Sequence, residues 1–290
     1  MIRAAHRLLT KPLRMMLAVA GRVYVPGKEL GDAMAIARQL ADQQIACTLG
    51  YFHSWQESNR QIVDLTNAIV DAVANLEPKG YVSIKAPAFR YDSSALTAIV
   101  TAAGERGVLA HFDSHEHATA DATLACVRQA VSLGVPVGLS IPGRWQRSLD
   151  DADLGCRLGV RLRLVKGEWP DPTTPNLDMR SGFLDVVDCV AGRATEVAVA
   201  THDPGLANES IKRLHAAGTP CELELLNGLP KRALLAIARK YSVPVRLYIP
   251  FGVAWRPYAI SKAIERPRIL WWLARDSIVG LASWRQKVHR

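Results

Sequence analysis

Short runs of β-branched and aliphatic residues alternate along this chain with longer stretches in which apolar side chains recur every three or four positions. The runs are IACTL (45–49), YVSIK (81–85), VLAHFD (108–113), VGLSI (137–141), RLRLV (161–165), EVAVAT (196–201), ELELL (222–226) and VRLYI (245–249). Each has strand length and composition, and the segments between them, 57–75 and 117–133 most clearly, carry the periodicity of amphipathic helices. Gly80, Gly107, Gly134, Gly159, Gly218 and Pro244 fall at the helix-to-strand turns, where chain-breaking residues belong. Eight parallel strands with no long linker close a barrel rather than leave an open sheet. The pattern therefore predicts an α/β fold, a (β/α)8 barrel over 44–275, preceded by a helical segment at 1–43 and followed by a basic tail at 276–290.

Composition changes this picture little. A chain of 290 residues, half of them apolar, can bury a full core. The cysteines Cys47, Cys126, Cys156, Cys189 and Cys221 stand singly, which argues against both a disulfide framework and a zinc ribbon and favours a reducing, cytoplasmic setting. The net charge of +9 lies at the ends: residues 1–28 hold six Lys/Arg and no acid, and residues 266–290 hold six and one acid. The body between them is slightly negative, so a phosphate-tracking groove and a nucleic-acid partner are not expected. No apolar run reaches bilayer-spanning length. The acid-free, amphipathic start has the character of a helix that caps the fold, of a targeting segment, or of one that touches the inner face of a membrane.

In a barrel of this kind, chemistry is carried at the C-terminal ends of the strands. That rule selects Lys85, Asp113, Arg163 with Lys166, His202, Glu224 and Tyr248. Singly, most have a structural explanation: Lys85 as a snorkelling side chain, Asp113 as a helix cap, Tyr248 as a barrel aromatic. Arg163 inside a strand does not, because a buried guanidinium needs an anionic partner or several acceptors.

Four ordered motifs on the last four predicted strands, RLRLVKGEW (161–169), ATHDP (200–204), ELELLNG (222–228) and RLYIPFGVAWRPYAISKAIERP (246–267), resemble those of the proline dehydrogenase family. The resemblance continues back through YVSIKAPAF and GVLAHFDSHE and covers roughly residues 30–275. It implies an FAD-dependent oxidoreductase that removes a hydride from the carbon beside the nitrogen of proline, or of a related secondary or N-alkylated amino acid, and passes the electrons on, commonly to a membrane quinone. It assigns Arg163, Lys166, Trp169, His202, Asp203 and Glu224 to the flavin. Lys85, Leu226, Tyr248, Tyr258, Ser261 and Lys262 fall to the substrate pocket, and Lys85, Asp113, Arg163 and Tyr248 to catalysis. Pro204 suits the first turn of the next helix, whose amides suit phosphate.

The departures bear on substrate. Ser261 and Lys262 stand where the family has paired arginines that clamp a carboxylate, Trp169 follows Glu168 where it has tyrosine, and Pro142 falls where it has a flavin-contacting glutamine. Two other readings remain at this stage. His111, Asp113, His115 and His117, with His53 and His202, supply ligand types for a metal-dependent barrel hydrolase. A barrel that has lost catalysis and only binds a ligand is the other.

Overall fold

The computed structural model describes residues 27–54 and 56–254. Eight strands pair in sequence order, all parallel, and the last pairs with the first to close the barrel. They are β1 (Ala46–Tyr51), β2 (Tyr81–Ile84), β3 (Ala110–Phe112), β4 (Val137–Pro142), β5 (Arg161–Val165), β6 (Val197–Ala200), β7 (Cys221–Leu226) and β8 (Val245–Phe251), each within two residues of its predicted limits. The helices are α1 (Leu30–Ala41), α2 (Asn59–Ala74), α3 (Ser93–Glu105), α4 (Ala120–Ser132), α5 (Ser148–Arg157), α6 (Met179–Val190), α7 (Pro204–Ala216) and α8 (Arg232–Tyr241). Residues 1–26, the tail 276–290 and the outer limit of the barrel at 275 lie outside the described residues.

Helix α1 belongs to the predicted N-terminal segment. It buries Ala33, Met34, Ala37 and Leu40, a stripe of helical spacing, against β1 and β8. It thus covers the seam where the barrel closes.

The strands alternate in an unusual sense. Leu162, Leu164, Val197, Val199, Leu223, Leu225, Leu247 and Ile249 are buried among apolar neighbours of the helical layer. The positions between them face the barrel axis, where branched aliphatics normally stack, and here many carry charge. In the lower layer, Arg161 pairs with Glu222, two strands away, and with Glu196 at 2.9 Å. Arg246 pairs with Glu222 at 2.7 Å and donates to the Cys47 carbonyl at 2.9 Å, and its guanidinium lies 3.5 Å from the centre of the Tyr81 ring. Each buried guanidinium has a carboxylate, the condition on which such charges persist away from water.

One step higher, Nε2 of His111 lies 3.0 Å from Ser140 Oγ and Nδ1 lies 3.5 Å from Arg161. Arginine only donates, so the ring proton is assigned to Nε2. Burial, and then Arg163 and Arg161, hold the His111 pKa well below its usual value. A side chain at Gly138 would overlap this imidazole.

Candidate active site

The strand ends above this layer bring together most of the residues selected from the sequence. Lys85, just past β2, places Nζ 3.2 Å from Asp113 Oδ2, 3.1 Å from Ser83 Oγ and 3.1 Å from the Tyr248 hydroxyl. Asp113, just past β3, accepts from Ser83, Lys85 and Tyr248 on Oδ2 and from Arg163 at 2.7 Å on Oδ1. Arg163 in turn grips Glu224 on β7 with Nε at 3.0 Å and a terminal nitrogen at 2.8 Å. Two cations and two carboxylates therefore neutralise one another across four strands.

The electrostatics follow from this geometry. Burial would raise the Asp113 pKa, but Lys85 and Arg163 outweigh it and hold the carboxyl well below the usual range. Burial would lower that of Lys85; Tyr248 and Asp113 reverse the sign and keep it charged. Tyr248 moves up, through burial and then Asp113, so it stays a neutral phenol.

The turn after β5 sends the next cation elsewhere. Gly167 has φ +87°, and a side chain there would meet Arg144 and Pro142 at 2.8 and 2.9 Å. Lys166 thereby reaches Asp203 at 3.2 Å, beside Arg180 at 3.1 Å from the same oxygen. Asp203 also caps α7 by accepting from the Leu206 amide at 3.0 Å, with Pro204 in the first turn as expected. The loops after β4 and β5 are laced together: Trp145 Nε1 donates to the Trp169 carbonyl at 2.9 Å, Arg144 donates to the Glu168 carbonyl at 2.7 Å, and buried Asp171 accepts from the Gln146 amide at 2.8 Å.

His202 spends both ring nitrogens on the backbone. Nδ1 donates to the Pro230 carbonyl at 3.2 Å, and Nε2 accepts from the Leu226 amide at 2.9 Å. The ring, in one tautomer, therefore ties the end of β7 at Leu226 to Pro230 in the loop before α8.

The structure separates the predicted residues into three groups. Lys85, Asp113, Arg163, Glu224 and Tyr248 form one connected cluster, with Glu224 beneath Arg163 rather than at the surface of the mouth. Lys166, Asp203 and Trp169 line the β5–β6 rim, and His202 underpins Leu226. Tyr258, Ser261 and Lys262 lie outside the described residues. Sequence reasoning missed Ser83, Ser140, Gly50 and Phe52, whose ring lies 4.4 Å from Lys85 Nζ. Ser83 was detectable, since it is two residues before Lys85 on a strand and must share its face.

The ligand set considered for a metal hydrolase is dispersed. β3 ends at Phe112, His111 points into the barrel, His115 lies in a loop, and His117 opens a 3₁₀ turn (His117–Thr119). The strand does not continue through His115 and His117, nor does a helix start directly after Asp113. Among the described residues no group of three ligand-type side chains is placed to hold a metal ion.

Fold and site together define a parallel (β/α)8 barrel with an ion-paired polar cluster at the mouth. No family model matches the chain. The proline dehydrogenase resemblance holds against curated proteins: the chain is 23% identical over 267 residues to proline dehydrogenase 1 of Bacillus subtilis (strain 168), covering 86% of this chain and 87% of that one. It is 26% identical over 269 residues to the proline dehydrogenase of Deinococcus radiodurans, covering 84% and 86%. Among solved structures it is similar to proline utilization A (PutA) from Bdellovibrio bacteriovorus inactivated by N-propargylglycine, with a TM-score of 0.72 and 14% identity. That match covers 86% of this chain and about a third (32%) of the other's length, and speaks for the fold.

Proposed function

We propose that this chain is a flavin-dependent oxidoreductase that converts proline, or a related secondary or N-alkylated amino acid, to the imine by loss of hydride from the carbon beside nitrogen. The observation that carries the reading is the closed Lys85–Asp113–Tyr248–Arg163 cluster at the barrel mouth, in a chain similar along most of its length to proline dehydrogenases.

The rim fits FAD. Lys166 and Arg180 are 38% and 47% exposed as side chains and converge on Asp203 beside the first turn of α7, so two accessible cations are available to a diphosphate. Trp169 and Asp203 share this rim, and His202 holds the neighbouring loop. Arg163 supplies a fixed positive charge below the mouth. When bound, FAD supplies the hydride acceptor.

The chain's own task is placement. Tyr248, Leu226 and Phe52, with Tyr258 from outside the described residues, form the walls for a small ring, and the internally satisfied Lys85–Asp113 pair keeps them in register. Hydride transfer depends on that alignment more than on proton transfer. A quinone is the electron acceptor in this reading, and the cationic residues 1–24, outside the described residues, provide contact with an anionic membrane from its inner face. Among the described residues no helix is long and apolar enough to cross a membrane.

The test is anaerobic bleaching of the flavin by proline, hydroxyproline, pipecolate, sarcosine and carboxylate-free cyclic amines, in the native protein and in Ser261→Arg/Lys262→Arg. The native protein is expected to be bleached weakly by proline and the double variant more strongly, because a restored arginine fork adds charge-assisted hydrogen bonds worth roughly tenfold to a hundredfold in affinity. A purified protein without a flavin spectrum that does not take up FAD would instead favour a ligand-binding barrel.

A further inference from the structure

Lys85 and Arg163 share Asp113, Arg163 also holds Glu224, and Lys166 and Arg180 share Asp203. Each of these charges at the mouth has a carboxylate within the protein. Arg144, in the loop after β4, has none in ion-pair contact among the described residues. One terminal nitrogen donates to a neutral group, the Glu168 carbonyl, at 2.7 Å. Its Nε is shielded from solvent and meets no acceptor, and its other terminal nitrogen makes no hydrogen bond among the described residues. A half-buried cation with donors left over is a cost to the fold, and such exceptions call for an explanation.

The guanidinium is nevertheless held in place. Its aliphatic stem lies over Gly167, where an added Cβ would come within 2.8 Å of Arg144 Cγ and 3.0 Å of Cδ. The Gly143 amide joins the two strand ends beneath it, 2.7 Å from the Val165 carbonyl. Trp145 and Asp171 tie the same two loops together at 2.9 and 2.8 Å. A charge on a fixed seat with open donors is pre-organised for a ligand.

Location and donor chemistry select that ligand. Gly167 lies between Lys166 and the Glu168–Trp169 pair, so Arg144 borders the rim that the proposed function gives to FAD. Lys166 and Arg180 converge on Asp203 after β6 and serve the diphosphate there; Arg144 comes from the other neighbour of β5, β4. Pro142, the last residue of β4, has neither an amide N–H nor a polar side chain. The Gly143 and Gln146 amides and the Trp145 indole N–H are already spent, which leaves Arg144 as the donor on this side. A guanidinium presents its N–H groups in one plane, the complement of the in-plane carbonyl and nitrogen acceptors of an isoalloxazine. A fixed cation beside a ring that gains negative charge on reduction also favours the reduced form.

We propose that Arg144 is a flavin-binding residue that acts on the isoalloxazine and not on the diphosphate: it donates to the acceptor edge of the ring, and its charge raises the reduction potential. The inference rests on the flavin reading of the proposed function and adds to it the residue that biases reduction from the β4 side.

Titration of the full-length protein with FAD, and equilibration of the loaded protein with redox dyes of known potential, test it in the wild type, Arg144→Met and Arg144→Lys. Arg144→Met keeps a stem over Gly167 and removes the donors and the charge. It should unfold at close to the wild-type denaturant concentration and bind FAD about tenfold to a hundredfold more weakly. Its potential should be lower by about 30 mV for each tenfold of preference for reduced flavin that is lost. Arg144→Lys should keep most of the potential but recover only part of the affinity, because a point charge replaces the fork. A wild-type potential in Arg144→Met overturns the proposal even where FAD binding weakens, since a diphosphate contact or a clasp between loops gives that pattern. A wild type that binds FAD with the same affinity and potential as both variants removes this inference and leaves the flavin reading standing; a wild type that takes up no FAD removes the flavin reading and this inference with it.

Discussion

The backbone of Gly50 lies directly against the hydroxyl of Tyr248: a methyl group on Gly50 would overlap the phenol oxygen. Gly50 sits opposite Ser83 on β2 and Pro250 on β8, so the missing side chain is what lets Tyr248 reach across to Ser83, Lys85 and Asp113. Gly50→Ala is expected to cost about 1–3 kcal/mol of stability by overpacking. It should also slow amine-driven flavin reduction by at least about tenfold through misplacement of the cluster. Adding Tyr248→Phe removes the clashing oxygen and should recover part of the stability but not the rate. Denaturant titration and stopped-flow reduction of wild type and the two variants separate the two effects, and a fully active Gly50→Ala protein would show that Tyr248 is not held where catalysis needs it.

Arg163 carries two burdens at once, because the guanidinium that serves the mouth also neutralises Glu224 and Asp113. Truncation to alanine leaves Glu224 buried with Arg161, at 3.6 Å, as its remaining ion-pair partner among the described residues, and Arg246 as a more distant counter-charge. The expected loss is about 3–5 kcal/mol, the usual cost of stripping one partner from a buried pair. Loss of flavin in Arg163→Ala would thus mix unfolding with lost contact. Arg163→Lys keeps a point charge but not the fork, and should unfold at a denaturant concentration between those of wild type and alanine while retaining flavin poorly. Stability of Arg163→Ala within about 1 kcal/mol of wild type, measured by chemical unfolding, would mean that the Glu224 pair contributes no stability.

Hydrophobic periodicity made the barrel legible because a buried parallel strand writes its outward face in aliphatic residues, and every one of the eight runs does so. The same rule hid the interior. Arg161, His111, Glu222 and Arg246 read from sequence as isolated polar interruptions, since their partners lie on neighbouring strands or two strands away and only assembly of the barrel brings them together. Arg163 and Lys166 read as one pair of cations three residues apart; the Gly167 turn divides them, one facing inward to Glu224 and the other outward to Asp203. Gly50 gave no signal because its role is steric, set by the Tyr248 that β8 places beside it, and Phe52 gave none because its contact with Lys85 exists only once β1 and β2 pair. For His202 the position was legible as part of a motif, but not its two backbone partners, which come from the following strand and loop.

Those backbone partners make His202 a source of acid sensitivity. Burial, reinforced by Lys231 and only partly offset by the Pro230 carbonyl, holds its pKa down at about 4, against an ordinary value of 6.5. Protonating Nε2 would set a second N–H against the Leu226 amide that now donates to it. The sign is that of a depressed group: above pH 6.5 neither folded nor unfolded chain is protonated at this ring, and His202 leaves stability independent of pH. Between pH 6.5 and about 4 the unfolded chain takes up a proton that the folded chain refuses, so stability falls as pH falls, by up to about 3 kcal/mol in total. His115, also held at about 4 by burial, adds a contribution of the same sign. Unfolding free energies measured across this range should fall more steeply for wild type than for His202→Gln, by up to about 1.4 kcal/mol per pH unit, and the two curves should run parallel above pH 7 and below pH 4. Parallel curves throughout would show that His202 is free to protonate in the folded protein and does not lock Leu226 in place.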